Sequence, residues 1–455
     1  MSIHAEDTIV ALATPVGAGA IGVIRLSGPD AIKITNKVFG GKNLEEQESH
    51  TVHFGTIRDG DLIVDEVLVT LFVAPKSYTK ENIVEISCHG SSYIIESIIK
   101  LMIKNGARGA KPGEFTLRAF LNGGLDLSQA EAVADLIASS SETSHQLAMK
   151  QMRGGFSNEL KNLRDQLIHF ASMIELELDF SEEDVEFANR DQLKQLILSI
   201  QKVLDKLIMS FDQGNVLKNG VPVVIAGKPN VGKSTLLNVL LNEERAIVSD
   251  IAGTTRDTIE DEINIKGVIF RFIDTAGIRE TEDIIEAKGV ERTLEKIKQA
   301  RLLVYLADPI QDNIDAVKQQ LDEVKAYNIP YLLVVNKKDL LDAEQLEAYG
   351  NLEPLFISAK NNSGIEDLQD KLLEIVNLAN LNSEDVMVSN IRHVEALQKT
   401  NEALIRVLYG IDNPVASDFL AMDIRQSLHH LGEITGEVTT DDLLDNIFSK
   451  FCIGK

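Results

Sequence analysis

The sequence predicts a multidomain chain of mixed class: an α+β unit first, then a discontinuous α-helical domain with an α/β domain inserted into it. Three observations carry this. The 455 residues with 44% hydrophobic content are enough for about three folded cores. The hydrophobic period is strand-like before about residue 120, helical after about Leu125, and helical again after about residue 380. Between the two helical stretches, apolar runs end in glycine-, asparagine- or aspartate-bearing loops. The expected domains are 1–122, 123–217 with 380–455, and 218–379.

In the first unit, residues 8–13 and 20–26 are short apolar runs split by the turn Pro15-Val-Gly-Ala-Gly19, and 62–73 and 82–87 are further Val- and Ile-rich strands. Residues 92–104 read as a helix with Ile95, Ile98, Ile99, Met102 and Ile103 on one face. Arg25 places a charge at the end of an apolar strand. Glu85 interrupts Ile83-Val-Glu-Ile86, where alternation points it to solvent. Cys88-His89-Gly90 sets a thiol beside an imidazole. Strand neighbours face opposite sides, which argues against a nucleophile and its base.

In the helical stretches, Ser128 and Glu131 are expected to form a capping box ahead of Val133, Ala134, Ile137 and Ala138. Leu160, Leu163, Leu167, Phe170 and Ile174 line one face of a helix over 158–178, and 191–212 is helical. The acidic run 181–186 reads as a helix start or solvated loop. Helices resume over 390–408, 418–431 and 439–451, where adjacent His429 and His430 are expected at the surface rather than on one metal. Neither helical set makes a complete core alone, so the two are expected to pack together around an insertion whose ends lie close.

The inserted domain carries the chemistry. Gly227-Lys-Pro-Asn-Val-Gly-Lys-Ser234 follows the apolar run 221–226 and precedes a helical pattern, the context of a phosphate-binding loop. Its glycines turn backbone N–H groups toward phosphate oxygens, Lys233 reaches the β- and γ-phosphates, and the Ser234 hydroxyl suits Mg²⁺. Asp274-Thr-Ala-Gly277 ends a strand with a carboxylate for the metal's water shell and an N–H for the γ-phosphate. Asn336-Lys-x-Asp339 ends another: one carboxylate accepts from both N1–H and the amino group of guanine, which adenine does not offer. Ser358-Ala359-Lys360 completes the base pocket. Four motifs in this order predict a Ras-like P-loop GTPase domain. Ile278 stands where many GTPases place a water-orienting glutamine. The oxygen-rich loop 249–257 and an acid among Glu280, Glu282, Asp283 and Glu286 are the open candidates for that role. Arg256 reads equally as an arginine finger or a surface arginine.

Composition narrows the partners. Forty-five Lys+Arg against 70 Asp+Glu give a formal charge of −25, which argues against a broad basic face gripping nucleic acid. Two cysteines make no disulfide framework. No signal-peptide pattern and no membrane-length apolar run is read. A soluble cytoplasmic protein without membrane association is expected.

The domain order, Gly253-Thr-Thr-Arg-Asp257, Asp274-Thr-Ala-Gly277, Pro112-Gly-Glu-Phe115, Arg118-Ala-Phe-Leu-Asn122 and the ending Phe451-Cys-Ile-Gly-Lys455 resemble the MnmE (TrmE) family of tRNA-modification GTPases over essentially the whole chain. The resemblance implies a K⁺-activated GTPase. With the flavoprotein MnmG (GidA), in a heterotetramer, it adds an aminomethyl-type (carboxymethylaminomethyl) group to C5 of the wobble uridine of certain tRNAs. It implies a homodimer formed through an N-terminal domain that binds 5-formyltetrahydrofolate or a related one-carbon tetrahydrofolate. GTP then falls on Asn230, Val231, Gly232, Lys233, Ser234 and Thr235, and on Ser249, Asp250, Ile251, Ala252, Gly253, Thr254 and Thr255. It also falls on Asp274, Thr275, Ala276 and Gly277, on Asn336, Lys337 and Asp339, and on Ser358, Ala359 and Lys360. K⁺ falls to Asn230, Ser249, Ile251 and Thr254, Mg²⁺ to Ser234 and Thr255, and the catalytic water to Glu286. Folate falls to Arg25, Glu85, Lys455 and the position of Gly124, where the family often has Lys or Arg and this chain has no side chain. Cys452 matches the family's terminal cysteine and is expected in a buried or structural role, with a nucleophilic role as the alternative. With a charge of −25, tRNA is expected to be held mainly through the complex. The alternative reading is a ribosome-assembly GTPase.

Overall fold

The computed structural model describes residues 7–179, 189–245, 260–273, 300–326, 329–376, 386–413 and 415–454. The acidic run 181–186 lies outside them. The chain forms two compact units: Met1–Ile137 with Lys150–Gln201 and Ala396–Lys455, and Ala138–Met149 with Lys202–Glu395.

In the first unit, alternating Val- and Ile-rich runs build seven strands: β1 (Ile9–Leu12), β2 (Ile21–Ser27), β3 (Phe39–Gly40), β4 (Thr51–Asp59), β5 (Leu62–Phe72), β6 (Ile83–His89) and β7 (Arg108–Gly109). They pair in the order β3-β4-β5-β6-β2-β1-β7, antiparallel except for β1 with β7. One face buries Ile24, Leu26, Val67, Val69, Leu71, Val84 and Ile86 against α2 (Ser92–Lys104), while α1 (Ala31–Asn36) adds Ala31 and Ile34. The buried stripe of α2 is Ile95, Ile98, Leu101 and Met102; the expected Ile103 is 45% exposed, because the stripe centres near Ile98, from which Leu101 lies about 60° round the helix and Ile103 about 140°. On the opposite face Phe54 lies across from Leu68, and Val52, Phe54 and Leu68 are exposed.

At the β1 end of the sheet, α3 (Glu114–Leu121) brings Arg118 into a buried charge network. Its guanidinium, 2% exposed, pairs with Asp7, with Glu81 at 3.2 Å and with Glu114 at 3.2 Å, while Arg108 pairs with Glu114 at 2.5 Å and Asp7 at 2.8 Å. Burial raises the Glu114 pKa, but hydrogen bonds from Arg108 and the Lys111 N–H, with the charges of both arginines, outweigh it and hold the carboxyl below its ordinary range. Because the folded pKa is the lower one, this stabilisation is present above the ordinary glutamate range and is lost as pH falls through the folded value.

The helical part of this unit begins with α4 (Leu127–Ala138). Its reciprocal cap is Asp126 with Gln129, each side chain accepting from the other's backbone N–H at 2.9 Å, and not the expected Ser128 with Glu131. Ser128 lies two residues too far in, and its hydroxyl meets Asp126 and Ser157 instead, both at 2.8 Å. In chain order come α5 (Glu142–Met152), most of which belongs to the second unit, α6 (Gly155–Asp179), and α7 (Arg190–Asn219), which divides between the two units; α5 carried no clear period in the sequence. Helix Ser417–Thr435 packs on α6. The last helix, Asp441–Phe448, joins Leu444, Phe448 and the following Phe451 to Leu117, Leu127 and Ala130 in a small core that ties the chain's end to α3 and α4.

The second unit holds β8 (Val221–Ala226), β9 (Glu260–Ile265), β10 (Val268–Ile273), β11 (Leu302–Ala307), β12 (Tyr331–Val335) and β13 (Leu355–Phe356), in the order β13-β12-β11-β8-β10-β9. All neighbours are parallel except the β9–β10 hairpin. Apolar residues fill both faces: α8 (Lys233–Arg245) and helix Ile365–Val376 contribute Leu236, Leu240, Leu368 and Leu372 to one, and helix Ile314–Lys325 contributes Val317, Leu321 and Val324 to the other. This is a doubly wound α/β sheet whose strand order reverses beside β8, the position at which such sheets bind ligands. The two ends of the intervening segment lie side by side: a Cβ on Gly214 would sit 2.2 Å from the Val388 carbonyl oxygen, and the Val388 N–H donates to Ser210 at 3.0 Å.

Replacing Arg118 by Ala leaves Glu81 without its arginine and Glu114 paired with Arg108 alone. An expected loss of about 3–5 kcal/mol should appear as a lower urea midpoint, with the variant's stability at neutral pH falling toward the acid value of the wild type.

Candidate functional site

The loop after β8 takes its shape from a few enforced contacts. Gly232 has φ +101°, and a Cβ there would lie 2.4 Å from Nδ2 of Asn336, so both backbone conformation and space exclude a side chain. Nδ2 of Asn336 donates to the Val231 carbonyl at 2.9 Å, and its Oδ1 accepts from the Ala359 N–H at 3.0 Å. Asn336 is buried, and with both ends of its amide committed to backbone it braces three loops together. Lys233 opens α8, its Nζ donating to the carbonyls of Gly227 and Lys228 at 2.7 and 2.8 Å, and burial pushes its pKa down. Ser234 is half-buried, while Thr235 and Asn230, the latter at φ +64°, are exposed. A loop apex of inward N–H groups at a helix start is a cradle for phosphate.

The base loop follows β12. Asp339 is exposed and accepts from the Ser358 hydroxyl at 2.5 Å; that bond, with the Lys360 charge, outweighs a small burial effect and lowers its pKa, keeping it an ionised acceptor. Lys337 has φ +62°, and its Nζ meets Oδ2 of fully buried Asp308 at 2.5 Å. Lys228 of the phosphate loop meets Oδ1 of Asp312 at 2.7 Å, and the Asp308 N–H donates to Oδ2 of Asp312 at 2.9 Å. Asp308 and Asp312 therefore couple the phosphate and base loops through two lysines. Sequence reading missed them; the available signal was a pair of aspartates four apart directly after the wholly apolar β11.

A second constellation lies on the sheet of the first unit. Arg25 and Glu85 face each other across β2 and β6, with Nε and Nη2 of Arg25 at 2.8 and 2.7 Å from Oε1 of Glu85, both half-buried. Glu85 is therefore paired and not turned to solvent as alternation alone suggested. The Arg25 guanidinium stands over Phe115 at 5.8 Å and donates to the Gly454 carbonyl at 3.4 Å. The chain's end reaches this point because Ile453 bridges Pro112 and because Gly454, at φ +94°, passes so close to the Leu12 carbonyl oxygen that a Cβ would be 2.1 Å away. Gly124 is held by its N–H on the Ala119 carbonyl at 2.7 Å and lies beside Tyr78 and Lys80.

Cys452, expected in a buried or structural role, is exposed, and its backbone carbonyl accepts from the Gly113 N–H. Cys88 is buried, and burial pushes its thiol up to about 11, whereas neighbouring His89 is exposed and bonded through Nδ1 to Asp65 at 2.7 Å, so the two form no catalytic pair. His429 and His430 both turn toward Glu433, at 3.5 and 3.0 Å, which the sequence reading had not foreseen for adjacent helical residues; His430 is the more buried of the two.

Two family profiles match the chain: the N-terminus of the GTP-binding protein TrmE over residues 8–124, and the MnmE helical domain over residues 127–452. A tRNA modification GTPase MnmE of Cytophaga hutchinsonii is 61% identical over 450 residues, covering 99% of this chain and 98% of its own. The chain belongs to the MnmE family. The tRNA modification GTPase MnmE of Christiangramia forsetii is 57% identical over 471 residues, covering 99% of each chain. Among solved structures, the G domain of the T. maritima FeoB iron transporter is 25% identical, covers 34% of this chain and 98% of its own, and has a TM-score of 0.25.

Of the residues that the MnmE resemblance singles out, 249–255, 274–277, Glu286 and Lys455 lie outside the described residues, as do Arg256, Ile278, Glu280, Glu282 and Asp283. The rest fall into two groups, one at each constellation. Replacing Asp339 by Asn sets an amide donor against the two donors of guanine and should weaken GTP binding by about 100-fold or more. Fluorescent-nucleotide titration checks this, with xanthosine triphosphate, whose C2 carbonyl accepts, expected to bind the variant better than GTP does.

Proposed function

We propose that this tRNA-modification GTPase hydrolyses GTP in a K⁺- and Mg²⁺-dependent manner. With the flavoprotein MnmG (GidA) it builds an aminomethyl-type group, carboxymethylaminomethyl, on C5 of the wobble uridine of certain tRNAs, drawing on a tetrahydrofolate one-carbon unit. The observation that carries the reading is the single braced assembly of phosphate loop, Asn336-Lys-x-Asp339 and Ser358-Ala359-Lys360 in a chain 61% identical over its length to a tRNA modification GTPase.

The glycine cradle beside Lys233 fits a triphosphate, and the ionised Asp339 fits guanine. Ser234, with Thr255, would hold Mg²⁺; Asn230, whose amide stands at the exposed loop apex, would hold K⁺ with Ser249, Ile251 and Thr254. When bound, these cations supply positive charge near the developing phosphate charge. Lys233 orients the phosphates, and Glu286 positions the attacking water in place of the glutamine replaced by Ile278. On the sheet of the first unit, the half-buried Arg25–Glu85 pair offers donors and an acceptor in one plane, a set suited to a pterin edge, with Lys455 following directly on Gly454. The exposed apolar Val52, Phe54 and Leu68 on the same sheet support a homodimer through this domain. No helix among the described residues is long and apolar enough to cross a membrane, and the proposed location is the cytoplasm.

Mass spectrometry of tRNA nucleosides after depletion of the protein should show loss of the modified wobble uridine, restored by wild type and not by a Glu286→Ala variant. Unchanged nucleosides would return ribosome assembly to first place. The purified protein should turn over GTP at least about tenfold faster in K⁺ than in Na⁺, and Glu286→Ala should abolish that difference while still binding GTP.

A further inference from the structure

Lys80 is held in a conformation that its own residue type does not favour. Its φ is +60°, the left-handed region uncommon for residues with a long side chain. The surrounding loop enforces it: Asn122 Nδ2 donates to the Thr79 carbonyl at 2.8 Å, the Thr79 and Ser27 hydroxyls meet at 2.7 Å, and the Ser77 hydroxyl donates to the Glu81 carbonyl at 2.5 Å. Strain retained under such constraint points to use of the side chain.

That side chain runs to the 122–124 turn. Its Nζ donates to the neutral Gly123 carbonyl at 2.8 Å, and no carboxylate pairs with it among the described residues. Gly124 offers no side chain. A Cβ built on it would meet the Ala119 carbonyl oxygen at 3.0 Å, then Cε of Lys80 at 3.5 Å and the Tyr78 carbonyl oxygen at 3.6 Å. Lys80 therefore delivers a cation to the space that a side chain from position 124 would enter. Tyr78 links this point to the Arg25–Glu85 constellation: burial raises its pKa, opposed by its 2.9 Å bond to the Thr116 hydroxyl and by the charge of Arg25.

We propose that Lys80 is a ligand-binding residue that holds a carboxylate of the tetrahydrofolate carrier, that of its glutamate tail, at the Gly124 edge of the Arg25–Glu85 constellation. The inference rests on the folate reading above and adds to it the residue that stands in for the absent side chain at position 124. An ammonium with one neutral partner keeps two N–H donors for an anion, and its charge is not already neutralised.

The test is calorimetric titration of the full-length protein with 5-formyltetrahydrofolate and with 5-formyltetrahydropteroate, which lacks the glutamate. Lys80→Gly should weaken binding of the folate by about tenfold or more and leave the pteroate unaffected. Because glycine relieves the left-handed strain, its Tm should be no lower than that of the wild type, so lost binding is not lost folding. Adding Gly124→Lys to Lys80→Gly should restore folate affinity to within about threefold of the wild type. Unchanged folate affinity in Lys80→Gly overturns the proposal, and so does an equal loss for folate and pteroate. A variant that loses tRNA affinity and keeps folate affinity assigns Lys80 to RNA phosphate and overturns it as well. A wild type that binds neither compound removes the folate reading itself, a result distinct from failure of Lys80 alone.

Discussion

A phosphate loop works only while its N–H groups point inward, and in this chain that constraint falls on Asn336. Its amide bonds the loop at Val231 and the third loop at Ala359, and the nitrogen lies where a side chain at position 232 would begin. The glycine of one motif and the asparagine of the other are thus a single steric and hydrogen-bonding unit, although 104 positions separate them in the sequence. A buried primary amide with a free end is costly, whereas one with both ends satisfied is rigid. The sheet supplies the other half of the constraint: β8, β11 and β12 are parallel neighbours, so the loops that leave their ends converge without long connections. Asp308 and Asp312 then fix the lysines on either side, where buried carboxylates favour cations that stay put.

The same economy governs the first unit. Arg25 and Glu85 neutralise each other across two strands, and the arginine also meets the carbonyl of Gly454 from the far end of the chain. That approach depends on Gly454 having no Cβ and on Phe448 and Phe451 anchoring the tail beside Leu117 and Leu127. The N-terminal sheet and residues 453–454 consequently meet in one place, although 429 positions separate Arg25 from Gly454 in the sequence.

Legibility in the sequence followed the locality of the physics. The phosphate and base loops were readable because each requires particular residue types at fixed spacing. Strands β1, β2, β5, β6, β8, β10 and β12 were readable from alternation or from short apolar runs, whereas β9 and β11 were not read. The cap of α4 was misplaced by two residues: Ser128 matched the pattern, but Asp126 with Gln129 makes the same reciprocal bonds two positions earlier, and a carboxylate is an equally good cap. Helix α5 and strand β4, with Phe54 and Val52 exposed, carried no clean period. The partners of Glu85, Lys337 and Lys228 come from other strands and loops, and pairing across such distances leaves no trace in spacing. Cys452 was expected in a buried or structural role from the family resemblance alone, and its exposure is set by tertiary placement that spacing does not encode.

These pairings also bear on how a chain of charge −25 engages RNA. Basic side chains at both constellations are already committed inside the protein: Lys228 to Asp312, Lys337 to Asp308, Arg25 to Glu85, and Arg118 to three carboxylates. A cation neutralised internally contributes little to the counterion release that drives phosphate binding. Long-range attraction between this chain and tRNA is unfavourable for the same reason. If the proposed partner subunit is basic, it would resolve both difficulties at once, since an acidic surface that repels RNA would attract it. In such a complex, electrostatics would assemble the two proteins first and admit tRNA second.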